Sequence, residues 1–153
     1  MTNLSSVKEE IRIAVRTVES FRDRFSTFGL EYLGAQTEQS NLAGDSAVFL
    51  FRHVKSGVLL RLSVFPSIAA KKRSAVVILT NRRGQTLNVN DYLTVHKQEE
   101  TRSEFVADRA SADIGTFVEH VVNALLNLLA ADLRTVLEGR HWEDIPIDWA
   151  GYR

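Results

Sequence analysis

Seven apolar residues near the start of the chain, Val7, Ile11, Ala14, Val18, Phe21, Phe25 and Phe28, recur in alternating steps of four and three. That spacing places them on one helical face, so an amphipathic helix is expected from Val7 to Phe28. Ser6 and Glu9 have capping-box spacing, and Gly29 can take the left-handed conformation that closes a helix. A coiled-coil seam would persist for three or more heptads, so the stripe is read as packing on a sheet.

The period then changes. Residues 30–37 can form a first strand, and a polar loop follows from Glu38 to Asp45. Residues 46–54 carry the run Ala47-Val48-Phe49-Leu50-Phe51, and Lys55-Ser56-Gly57 has the composition of a three-residue hairpin loop. The return strand, 58–65, puts Val58, Leu60, Leu62 and Val64 on one face, and Pro66 is expected to end it. Residues 75–80 and 85–89 flank a second turn, Asn81-Arg82-Arg83-Gly84, which completes a five-stranded antiparallel meander. Phe49, Phe51, Leu59 and Phe65 are expected opposite Leu50, Leu60 and Leu62, so both sheet faces carry apolar groups. Two apolar faces on an antiparallel sheet favour a homodimer.

Asn90 is expected to cap a short helix from Asp91 to Lys97, and residues 98–110 have no clear period. Ser111 or Asp113 caps a long helix whose stripe runs from Ile114 through Phe117, Val121, Leu125 and Leu129 to Val136. Val122 and Leu126 widen that stripe, so the helix is buried on more than one side. Gly139 stops it. The expected architecture is therefore α+β: an antiparallel sheet of about five strands with the N-terminal and long C-terminal helices on one face. Residues 1–153 are expected to form one domain with the aromatic tail 141–153 docked on it, and Trp142 and Trp149 also make that tail a candidate partner-binding arm.

The composition is that of an ordinary globular domain: 153 residues, 44% hydrophobic, 25% charged and net charge zero. The absence of cysteine excludes disulfides, thiolate metal sites and a cysteine nucleophile. The most apolar stretch, 117–133, is broken by Glu119, His120, Asn123, Asn127 and Asp132, which argues against a membrane span. No basic-then-apolar leader opens the chain, so a cytoplasmic location is expected.

Charge is uneven along the chain. Between Asp45 and Asp91 there is no acid, but there are eight bases: Arg52, Lys55, Arg61, Lys71, Lys72, Arg73, Arg82 and Arg83. From residue 90 onward twelve acids face six bases. A basic sheet is thus paired with an acidic helical half. Lys55, Arg82 and Arg83 belong at one end of the meander and Lys71, Lys72 and Arg73 at the other, roughly 20 Å apart at ~3.4 Å per residue. These six are candidate anion or partner contacts, in two small patches.

Catalytic patterns are missing. His53, His96, His120 and His141 show no helical metal-site spacing, and no phosphate-loop or dinucleotide motif occurs. Gly44-Asp45-Ser46 resembles the start of one serine esterase class, but the triplet precedes its strand and lacks that class's late Asp-x-x-His. The composition therefore favours a non-catalytic intracellular protein-interaction domain, of the adaptor, secretion-chaperone or toxin-immunity kind, with no cofactor. The alternative is a ligand-binding domain or enzyme with a pocket between sheet and helices, for which Arg52, His53, Arg61 and His120 are the candidate polar groups. The third reading, nucleic-acid binding by the basic loops, has only small patches to support it.

Overall fold

The computed structural model describes residues 6–39, 44–68, 71–143 and 145. Helix α1, Val7–Ser20, starts at Ser6, whose Oγ accepts the Glu9 amide at 3.2 Å. Its buried face is Ile11, Ala14 and Val18, with Glu10 beside them. The expected single helix is divided: Phe21 bonds back to Val18 and a short α2, Arg22–Ser26, follows. The break aims Phe25 at the sheet, where its ring stacks on Phe51 with centroids 4.2 Å apart. Gly29, at φ +76°, turns the chain into the first strand.

The sheet contains β1 (Leu30–Glu38), β2 (Ser46–His53), β3 (Leu59–Ile68), β4 (Lys72–Thr80) and β5 (Thr86–Asn88), antiparallel in chain order. After α3 (Val89–Val95) and α4 (Glu99–Ser103), β6 (Val106–Asp108) pairs with the start of β4, while β5 pairs with its end. One strand thus carries two short partners on a single edge, and the aperiodic segment 98–110 becomes a helical turn and an edge strand. The cap of α3 is Asn88 rather than Asn90; its side chain accepts the Asn90 and Asp91 amides. Helix α5, Ile114–Ala130, is capped by Asp113, and a break at Ala131 separates it from α6, Arg134–Leu137.

Register decides which side chains meet the helices. Phe49 pairs with Leu62, which pairs with Val77, and Phe51 pairs with Leu60, which pairs with Leu79. Phe49 and Phe51 therefore share the helix-covered face with Leu60 and Leu62, contrary to the face assignment expected from sequence. Leu50, Leu59 and Phe65 lie on the other face. A one-residue offset across the β2–β3 turn exchanges the faces of a whole strand, and the run Ala47 to Phe51 carries no polar alternation to mark it. Pro66 also behaves differently from expectation. It lies inside β3 at a register shift between Phe65 and Ile68, the bulged position where a missing N–H is tolerated.

Helices α1, α3, α5 and α6 join Phe25 and the inner sheet face in one apolar core. Val118, Val121, Val122, Leu125, Leu126 and Leu129 of α5 are all buried, because the helix packs on α1 and shares one apolar core with the inner sheet face. Trp142 and Ile145 pack on this core half-buried, and Glu143 Oε1 meets His96 Nε2 at 2.8 Å. The described part of the tail thus straps its own core. Trp149, with Asp144 and Asp148, lies outside the described residues.

Candidate functional site

The basic residues divide by environment. Arg73 is not a surface cation. Both it and Glu10 are only 3% exposed, and Arg73 Nη1 stands 2.6 Å from Glu10 Oε2. Arg73 also donates to the carbonyls of Pro66 and Ala112, and Arg109 Nε donates to Glu10 Oε1 at 3.0 Å. This network ties α1 to β4, to the Pro66 bulge of β3 and to the segment between β6 and α5. The Arg73 charge is met by Glu10 inside the fold, so this arginine is an element of the fold rather than an anion site. Lys72 is paired with Asp108 across β4 and β6. Arg82 lies over Gly57, which brings the β4–β5 turn beside the β2–β3 turn that carries Lys55. Arg82 and Arg83 are exposed there, and Lys71 is exposed at the opposite end.

The four candidate pocket residues are dispersed. Arg52 and Arg61 lie on the far sheet face, paired with Glu31 at 3.0 Å and Glu38 at 2.6 Å. His120 is exposed on α5, with Nδ1 3.8 Å from Glu104. It borders a groove of about 460 Å³ between α4 and α5, together with Glu100, Asn127 and Asp132. His53 alone is buried, at the end of β2.

His53 closes a cleft of about 620 Å³ framed by the α2–β1 turn, the β2–β3 turn and the α5–α6 end. Its Nδ1 accepts the Ser56 amide at 3.1 Å. The Ser56 hydroxyl donates to the Leu137 carbonyl at 2.7 Å and accepts the Val58 amide at 3.2 Å. That hydroxyl lies 3.0 Å from Nδ1, but its one proton is committed to Leu137, so the pair is a fastening rather than a nucleophile and base. With Nδ1 accepting, the neutral ring carries its proton on Nε2. This edge lies against Gly29, where an added Cβ would come within 2.9 Å of Nε2. Gly29 thus serves both as a left-handed turn and as the clearance that the imidazole needs.

Burial pushes the His53 pKa below its usual 6.5, Lys55 pushes the same way, and Glu138 partly opposes them. The unfolded chain therefore binds a proton that the folded chain resists. Between pH 6.5 and the lower folded value, stability rises with pH, so acidification through this window should weaken the fold. The urea midpoint is expected to be lower at about pH 5.5 than at about pH 7.5, and His53→Gln should reduce that difference. An equal difference in the variant would assign the effect to other groups.

The far face of the sheet is the remaining distinctive surface. Leu50, Phe65, Val76 and Ile78 are half-buried on it, Leu59 is 41% exposed, and Val48 is fully buried. None of these six belongs to the main core. Among the described residues, every helix with buried side chains packs on the opposite face. The charges on this face are paired locally, Arg52 with Glu31 and Arg61 with Glu38. Val76 and Ile78 join this face by their alternation with Ala75, Val77 and Leu79, a signal that marks them once the inner face is known.

Among the described residues, no group of three or more histidine, aspartate or glutamate side chains converges as a metal site does, and no helix is long and apolar enough to cross a membrane. Compared with known proteins, the chain matches no family model, no curated protein and no solved structure.

Proposed function

We propose that this chain is a non-catalytic protein-interaction domain that associates with a second copy of itself through the far face of its sheet. The observation that carries the reading is the apolar strip Leu50, Leu59, Phe65, Val76 and Ile78, which lies outside the main core. Homodimer interfaces are the more apolar class of protein contact, and such a strip fits that class. Charge supports the same occupant. The strip's cations are neutralised by Glu31 and Glu38, so two copies meet without net repulsion, and a polyanion finds no excess positive charge. The exposed basic loops are split between the two ends of the sheet. Affinity from counterion release scales with the number of phosphates contacted, which disfavours nucleic acid as the partner.

Light scattering after size exclusion is expected to give about twice the 17.2 kDa chain mass at micromolar concentration. Ile78→Asp should return the monomer mass with its circular dichroism retained, because at this half-buried position the carboxylate reaches water in the single chain and is buried unpaired in the dimer. A wild-type chain that runs at monomer mass throughout the micromolar range would refute self-association.

A further inference from the structure

We propose that the cleft closed by His53 is a binding site for a small monocarboxylate with an apolar body. This inference is independent of self-association, which uses the other face of the sheet. The first observation is an oriented donor. His53 is 93% buried by its 7% exposure, and its Nδ1 is occupied by the Ser56 amide, so Nε2 carries the N–H. Among the described residues, Nε2 has no acceptor. A donor held this rigidly in a cleft wall suits an acceptor atom supplied by a ligand.

The second observation is charge. Lys55, Arg134 and Arg140 line the cleft with a single carboxylate, Glu138, among them. Glu138 is shared between Arg134, at 2.9 Å, and Arg140. Three cations against one anion leave a positive rim, which favours an anionic ligand. The third is the character of the walls. Phe28, Val54, Leu129 and Leu137 provide apolar surface, and about 620 Å³ is within the usual range for a small-molecule site. A single neutral donor and apolar walls match one carboxylate on a hydrocarbon body better than a phosphate, which would call for several converging donors.

The ligand's carboxylate would accept from His53 Nε2 and lie near Lys55, with its body along Phe28 and Leu137. No bond is made or broken. The test is titration of the ¹⁵N-labelled full chain with hexanoate and with phenylacetate, and with 1-hexanol and acetate as controls, followed by amide and imidazole ¹⁵N spectra. Expected are saturable shifts at Gly29, Val54 and the His53 ring with at least one of the two probes. 1-Hexanol and acetate should each bind about tenfold or more weakly than that probe, equivalent to about 1.4 kcal/mol. The double variant Lys55→Gln/Arg140→Gln should lose about tenfold in affinity, the same interval, with amide shifts elsewhere unchanged. Because both residues are exposed, this variant keeps the test independent of folding. No saturable shift with either carboxylate, or equal binding of hexanoate and 1-hexanol, would overturn the proposal.

Discussion

Replacing Glu10 with alanine is expected to destabilise the protein by about 3–5 kcal/mol, the range for removing one partner of a buried ion pair. The reason is what remains. Arg73 would stay 3% exposed, with its charge no longer balanced, at the junction of α1, β4 and the segment before α5. Arg109 would lose the same acceptor. Against a typical domain stability of about 5–15 kcal/mol, that loss would leave a large unfolded fraction under mild denaturant. Urea midpoints for Glu10→Ala, Arg73→Met and the double variant form a cycle that isolates the pair. The double variant should be more stable than Glu10→Ala alone, because it removes the stranded charge. Additive losses would show that the two residues act separately.

Phe51→Ala should cost about 3–5 kcal/mol, as large-to-small changes of buried phenylalanine do. Phe51 is 1% exposed, stacks on Phe25, and packs beside Tyr32 at 5.2 Å. The residue before it offers the contrast. Leu50 is on the far face and half-buried, so Leu50→Ala should cost the isolated chain only about 1–2 kcal/mol. Unfolding at low chain concentration, where association is negligible, measures both. A larger loss for Leu50 than for Phe51 would mean that the register of β2 is reversed.

That pair of residues also marks what could be read from the chain alone. The α+β class, the antiparallel meander, the Ser6 and Asp113 caps and the wide stripe of α5 are local properties, set by periodicity and by hydrogen bonds over three or four residues. The face of each residue in Ala47 to Phe51 is not local. It depends on pairing with β3, and a continuous apolar run looks the same in either register. Pro66 misled for a related reason, since proline ends a strand in most settings but fits a bulge that only β4 defines. The Glu10–Arg109 contact joins residues 99 positions apart, and nothing in the neighbourhood of either announces it. Arg73 belongs to a run of three consecutive bases, but the alternation of β4 turns it inward between exposed Lys72 and half-buried Ser74. For the candidate sites, His53 was identifiable as a polar residue at the end of an apolar strand. Its partner Ser56 is local to the hairpin, but the Ser56 bond to Leu137 and the clearance at Gly29 depend on the hairpin meeting the α6 end and the α2–β1 turn in space.

The most direct test of the far face as the self-association surface uses the absence of native cysteine. A single cysteine at Ile78, on the far face, and another at Asn127, exposed on α5, can each be oxidised in an otherwise thiol-free chain. The account predicts rapid disulfide-linked dimer from Ile78→Cys at micromolar concentration and little from Asn127→Cys. Equal or slower cross-linking at Ile78, with the fold intact by circular dichroism, would contradict it.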